Sequence, residues 1–319
     1  MDQHTHGTRR AVLAVSLFLA AALLPLALSP AARAEGEVTR FETPAAALQA
    51  VVAALEKGDR AAMTAIFGPD LEDIAQDDRD PAVQAARKAF VEAAKAETRF
   101  EARGGKDRVV AILGPQAWPF PIPLVKEEGG WRFDTAAGKD EVYARRIGAN
   151  ELTAIDLCKE YVAAQVAYAS KDRDGDEVRE YAQKFLSTPG TRDGLYWPAD
   201  TSKGEEESPF GPLVQPFEDF VKAREAGATP APFHGYVWRI LLGQGANAPG
   251  GAHSYLINGN MLAGFALVGV PAQYRETGVM TFLVSNHGTI YQKDLGEKSL
   301  ETAKAMETFD PDDTWTEIE

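Results

Sequence analysis

The sequence predicts an α+β fold in two successive parts. The first is a helical stretch followed by a curved antiparallel sheet, and the second is a long helix packed on a four-stranded antiparallel sheet. Three observations predict this. Apolar residues recur at helical spacing from Leu48 to Ala94, and strand-like runs bounded by turn residues follow. The same order, helix and then strands, begins again at Asn150. Composition fits two globular domains, with 45% hydrophobic and 25% charged residues.

Residues 1–34 read as an export signal. Arg9 and Arg10 form a basic start, Ala11–Leu28 is apolar, and Ala32-Arg33-Ala34 gives a small-x-small cleavage site after Ala34. Thr8-Arg9-Arg10-Ala11-Val12-Leu13 also resembles a twin-arginine signal. The expected location is the periplasm or outside the cell, with no membrane insertion once the signal is removed. Cleavage deepens the net charge from -14 to -16, because the signal carries three basic residues and one acidic residue. An acidic chain lacks the basic face that displaces counterions from nucleic acid, so no nucleic-acid partner is expected.

The first domain, residues 35–148, opens with helices. Thr43-Pro44 is an N-cap followed by proline in the first turn, and Gly58 is a natural stop. Asp59 caps a short helix carrying Met63, Ile66 and Phe67, and a third helix starts near Pro81. The acidic stretch from Gly68 to Asp80 reads as an exposed loop. Thr98–Arg103 and Arg108–Leu113 flank a Gly104-Gly105 turn. Trp118–Val125 has prolines at 119, 121 and 123, which reads as an edge strand whose missing donors all face outward. Trp131–Asp134 completes a hairpin.

The second domain, residues 149–319, opens with a helix from Asn150 to about Ser170. Its expected buried stripe is Leu152, Ile155, Cys158, Val162, Val166 and Ala169. Cys158, the single cysteine, falls in that stripe and reads as a small apolar core residue. Asp172, Asp174 and Asp176 stand at alternate positions, like the start of a calcium loop, and Glu180 can add an oxygen. The pattern then departs: Glu177 replaces the glycine, Arg179 the apolar residue and Gln183 the bidentate glutamate. Calcium at these four carboxylates, Asp172, Asp174, Asp176 and Glu180, is the one cofactor the sequence suggests. The Gly- and Pro-rich stretch 181–232 packs on the sheet through Leu195, Tyr196 and Trp197. Strands are expected at Tyr236–Leu242, Ser254–Ile257, Ala263–Val270 and Val279–Val284, the last extended by Ile290–Lys293 after the Asn286-His287-Gly288 turn, then a helix over 298–309.

The sequence holds no HExxH, Gly-x-Ser-x-Gly, P-loop or dinucleotide glycine motif. His234, His253 and His287 have no metal-ligand spacing. Asp193, Asp294, Arg239 and Lys293 could meet in a polar site or form surface pairs.

Three resemblances add to this reading. Helices followed by a sheet ending in Gly130-Trp131-Arg132-Phe133 are similar to nuclear-transport-factor-2-like cone domains. That resemblance implies a cone interior that binds small molecules in many members and pairs Asp with His in catalytic ones. No histidine lies between residues 35 and 233, so a structural or binding role is expected here. Asn150-Glu151, Gln165, Tyr168, His234–Ile240 and Pro271–Tyr291 resemble type IV pilin-like heads, which implies the head architecture without pilus assembly. The stretches Trp118–Val125, Gly130–Asp134, Arg146–Ile155, Tyr181–Pro198, His234–Ile240, Ala248–Ala252 and Thr308–Asp312 resemble an exported bacterial family known as domain of unknown function 2950. That family implies no catalytic residues. The expected function is a non-catalytic binding or interaction module with an envelope protein as partner. The alternative is a small-molecule binder or hydrolase with a pocket in the cone or at the domain junction.

Overall fold

The structure is a computed structural model and describes residues 38–75, 81–173, 175–211 and 232–318. The expected signal, 1–34, lies outside the described residues. The chain divides into two compact units, Met1–Arg145 and Arg146–Glu319. The fold is α+β with open antiparallel sheets.

The first unit begins with α1 (Pro44–Lys57). The Thr43 hydroxyl accepts from the Ala46 N–H at 3.1 Å, and Gly58 closes the helix in the left-handed conformation. In α2 (Arg60–Phe67), Asp59 accepts from the Ala62 N–H at 3.0 Å. The stretch expected as an exposed loop contains α3 (Leu71–Ile74), whose Leu71 and Ile74 are buried. Two apolar residues at i and i+3 suffice for one turn to seat on the core despite the acidic neighbours. Residues 76–80 lie outside the described residues, and α4 (Pro81–Ala96) follows.

The sheet of this unit contains β1 (Thr98–Ala102), β2 (Arg108–Leu113), β3 (Trp118–Pro119), β4 (Leu124–Glu127) and β5 (Gly130–Phe133). Its order is β1-β2-β4-β5, with β3 also on β2. The expected edge strand is therefore corrected. Pro119 pairs opposite Ile112 and Leu124 opposite Val109, so four residues, 120–123, bulge out against two. The prolines break the ladder in its middle instead of protecting an edge, and β4 lies between β2 and β5. Burial does not alternate through the bulge: Phe120, Ile122 and Leu124 enter the core, and Pro121 and Pro123 between them are buried as well.

Phe41 bridges to Trp131 through two backbone bonds of 2.8 and 2.7 Å, closing the start of the unit on β5. The close approach requires Gly130, where a Cβ would stand 2.5 Å from the Phe41 carbonyl oxygen. Nearby, Glu127 accepts hydrogen bonds from Arg132 and Arg40, which hold its carboxyl down to about 2. A lowered folded-state pKa contributes stability above the unfolded value, and that stability is lost as pH falls through about 2. Urea midpoints between pH 5 and pH 2 should therefore fall less steeply in Glu127→Gln than in the parent. The pair is partly exposed, so salt should shrink the difference.

Helix α5 spans Thr135–Ala169. It begins at Thr135, not at Asn150. The Thr135 hydroxyl donates to the Phe67 carbonyl at 2.7 Å, and Gly138 lets the first turn approach Ile122. The buried stripe is also rotated from expectation. Leu152 is 67% exposed and Val166 59%, while Ala154, Leu157, Cys158, Tyr161, Ala164, Gln165 and Tyr168 are buried. Polar residues occupy the inner face because each finds a hydrogen-bond partner there.

The second sheet holds β6 (Tyr236–Leu241), β11 (Ala266–Pro271), β12 (Met280–Ser285), β13 (Ile290–Asp294) and β14 (Thr316–Ile318), in the order β14-β13-β12-β11-β6. The expected four strands become five: one expected strand drops out, the stretch expected to extend the last strand is β13 in its own right, and β14 adds at the C-terminal end. The expected strand Ser254–Ile257 is not among them. It splits into β8 (His253–Ser254), which pairs β7 (Gly243–Gln244), and β9 (Leu256–Ile257), which pairs β10 (Asn260–Met261). Register places Val237, Arg239 and Leu241 on one face and Tyr236, Trp238 and Ile240 on the other. Tyr236 stacks towards Phe282 on the face that α5 covers, and Arg239 reaches α6 (Ser299–Ala305) on the opposite face. Layers on both faces explain why all six residues of β11 are buried.

Candidate functional site

A cleft of about 630 Å³ opens beside the C-terminal end of β6. Arg239, Leu242 and Gln244 line one side, His253 and Ser254 another, and Glu307 and Thr308 close it. Each wall is set by local bonding. Phe309 and Gly243 pair through a 2.9 Å backbone bond, and the Gly245 N–H returns to the Phe309 carbonyl at 2.9 Å. Gln244 is buried and donates to the Pro249 and Gly251 carbonyls at 2.7 and 2.8 Å, while its oxygen accepts from the Tyr255 hydroxyl at 3.2 Å. The glycine-rich loop 248–252 is thereby held as a wall. Its amides are not gathered at a helix start, as an anion cradle would need.

Three polar side chains facing the cleft, Arg239, His253 and Ser254, are likewise held by hydrogen bonds. Arg239 donates one guanidinium nitrogen to both the Ala303 and Met306 carbonyls at the end of α6. Burial pulls its pKa down, opposed by the charge of Glu307. His253 has Nδ1 3.1 Å from the Gly251 carbonyl, which favours the tautomer with Nδ1 protonated and Nε2 free. The Ser254 hydroxyl accepts from the Leu256 N–H at 3.0 Å and turns to that residue's own carbonyl at 3.3 Å. That leaves Ser254 committed to its turn, without a bond to His253. Leu242 contributes an exposed apolar wall. This arrangement suits binding: a fixed cation, a carboxylate at the rim and an apolar side.

The candidate calcium carboxylates are placed differently. Asp174 lies outside the described residues. Asp172 accepts from the Gly175 and Glu177 N–H groups at 2.8 and 3.0 Å. Asp176 accepts from the Val178 N–H at 2.8 Å and from Asn260 at 2.9 Å, and Glu180 from the Met261 N–H at 2.8 Å. Among the described residues, no group of three or more His, Cys, Asp or Glu side chains could hold a metal. Asp172 acts as a turn cap, so Asp172→Ala should cost about 1 kcal/mol in urea denaturation whether or not calcium is present. A melting temperature that rises with added Ca²⁺, and no longer rises in Asp174→Ala, would establish calcium binding here.

The four residues considered as a polar site are not brought together. Asp193 accepts from Lys184, Thr188 and Thr191. Burial works against its ionisation, but these bonds prevail and hold the carboxyl far below the usual range. Asp294 accepts from the Tyr274 hydroxyl, and Lys293 lies over Trp315 and bonds Thr314. His234 sits in the turn before β6, at the opposite end of the sheet from His287. Cys158 is fully buried, and burial pushes its thiol pKa up, away from reactivity.

In the first unit the face expected to enclose a ligand is filled by aromatic rings. Phe67 and Phe133 lie 4.8 Å apart, Phe90 and Phe120 5.5 Å, and Phe120 and Phe133 5.7 Å, with Trp118 at the margin. Sequence reasoning named Arg239 but missed His253, Glu307 and Thr308 as its neighbours. Nothing in local spacing joins residue 239 to residue 307; only the return of the chain along Gly243 does.

Comparison with known proteins gives one family. Residues 38–318 match the model described as protein of unknown function (DUF2950). No curated protein and no solved structure matches the chain.

Proposed function

Starting from the family to which the chain belongs, DUF2950, we propose that this protein is an exported binding module of the cell envelope. The observation that carries the reading is the second-unit cleft, whose cation is fixed by bonds to two backbone carbonyls beside a rim carboxylate and an apolar wall, while Ser254 is committed to its turn. Such a surface recognises a partner without breaking bonds in it. Export rests on the sequence of residues 1–34, and the acidic balance of the remainder supports solubility in that compartment.

The test has two arms. Expressed chain recovered by osmotic shock should begin at Glu35 on N-terminal sequencing; intact chain in the cytosolic fraction would refute export. Crosslinking in intact envelopes should join the chain to a partner through lysines introduced around the cleft. Crosslinks confined to the first unit would move the binding role elsewhere.

A second reading, small-molecule binding, is favoured by the cleft volume of about 630 Å³, which lies in the range of ligand pockets. Saturable binding of a small envelope metabolite that survives loss of every protein crosslink would select it.

A further inference from the structure

Among the described residues, strand β6 is the last strand of its sheet, and its outer edge carries an unmet demand. The Ala272 N–H donates to the Gly235 carbonyl at 2.9 Å, which sets the phase of the ladder. Residues 237, 239 and 241 turn their backbone groups to β11, and residues 236, 238, 240 and 242 turn theirs away. The ends of this outer edge are taken. Tyr236 exchanges two backbone bonds with Phe233, and the Leu242 carbonyl accepts from the Tyr255 N–H at 2.9 Å. Between them, Trp238 and Ile240 each present an N–H and a C=O that have no backbone partner among the described residues. The buried indole N–H of Trp238 also has no acceptor. A row of alternating donors and acceptors at strand spacing is matched by one chemistry, another extended chain.

Charge then narrows the occupant. A strand added here lies opposite residues 237–241, about 16 Å of chain. Because the backbone groups of Arg239 face β11, the incoming residue across from it is in a non-hydrogen-bonded pair, with Cβ atoms about 4.5–5.5 Å apart. Its side chain therefore enters the cleft beside the guanidinium. Among the described residues, Arg239 forms no ion pair; its hydrogen bonds go to two carbonyls, and Glu307 acts on it only from beyond contact. A second copy of this chain is disfavoured, since antiparallel pairing of two such edges centred on the gap sets Arg239 against Arg239.

We propose that the free edge of β6 and the adjoining cleft bind an extended segment of another polypeptide, pairing its main chain with Trp238 and Ile240 and seating an acidic side chain against Arg239. The proposal deepens the binding-module reading and rests on it for the kind of partner, but not on where the protein resides.

The test uses the purified chain and three blocked pentapeptides of alternating threonine and valine, with glutamate, glutamine or lysine at the centre. The glutamate peptide should shift the amide NMR signals of Trp238 and Ile240 and bind at least tenfold more tightly than the lysine peptide. Arg239→Gln should erase that preference. Ile240→Pro should abolish binding, because it removes an outward N–H and leaves the ladder to β11 intact. N-methylation of the peptide amides that face β6 should do the same, with no change to the protein. Unmoved amide signals at millimolar peptide would overturn the proposal, as would equal binding of all three peptides. Self-association of the parent chain that Ile240→Pro removes would assign the edge to a second copy instead. Peptide binding by a chain found outside the envelope would overturn export alone, and envelope crosslinks without peptide binding would overturn this proposal alone.

Discussion

Gln165→Ala is expected to lower the unfolding free energy of the second unit by about 3–5 kcal/mol, read as a fall in urea midpoint at unchanged slope. Gln165 is fully buried on the inner face of α5. Its amide oxygen accepts from the Ala182 N–H at 2.8 Å, and its nitrogen donates to the Ala182 carbonyl at 2.8 Å and to the Tyr161 hydroxyl at 2.9 Å. One side chain thus satisfies both backbone groups of a buried loop residue, as a neighbouring strand would. Alanine leaves those two groups dry and unpaired, each costing about 1–3 kcal/mol, and opens a cavity besides. Gln165→Glu gives a second signature. A buried carboxyl has its folded pKa raised, so stability is fully present below the unfolded value and is lost as pH rises through the folded one. That variant should therefore become less stable from about pH 4 upward, a slope the parent lacks at this site.

Arg173→Ala is expected to cost about 3 kcal/mol or more, with the stretch from Lys171 to Gly211 becoming sensitive to protease before the sheet does. The Arg173 side chain is only 6% exposed and pairs with Glu206 at 2.9 Å. It also donates to the Ala167 and Tyr168 carbonyls at 3.1 and 3.2 Å, closing the end of α5, and lies 5.5 Å from the Trp197 ring. Lys171 and Arg192 converge on the same Glu206, whose backbone carbonyl accepts from the Trp197 indole at 3.0 Å. Removing Arg173 takes a charged donor from the helix-end carbonyls and strips Glu206 and the Trp197 ring of the cation buried between them. Glu206→Gln should cost less, because Glu206 is partly exposed and water can replace it. A double-mutant cycle should show coupling between the two.

Residues whose partners are near in sequence could be read directly. Thr43, Gly58 and Asp59 cap where their types say they should, since a cap is satisfied within one helical turn. The apolar anchors Leu195, Tyr196 and Trp197 are buried as their residue types implied. What sequence misjudged depended on distant partners. Gln165 and Tyr161 were not in the expected stripe of α5, and they are buried because Ala182 and the Ala266 carbonyl satisfy them. Leu152 and Val166 read as core by type alone. The proline alternation at 119–123 was visible, but which strand would lie beyond it was not, and so an interior bulge was read as an edge. At the cleft, Arg239 was legible as a candidate and its neighbours were not, because β6, β8 and the chain after α6 meet only through tertiary pairing.

The lone cysteine also makes the second unit self-reporting. Cys158 sits sealed between α5 and the sheet with no exposed surface, and it is the one thiol in the chain. An alkylating reagent can reach it only through opening of that unit. The labelling rate at low reagent measures the opening equilibrium, and its plateau at high reagent gives the opening rate. The first unit has no thiol and is silent in such an experiment. The chain can therefore be followed one half at a time, without introducing a probe or disturbing a contact.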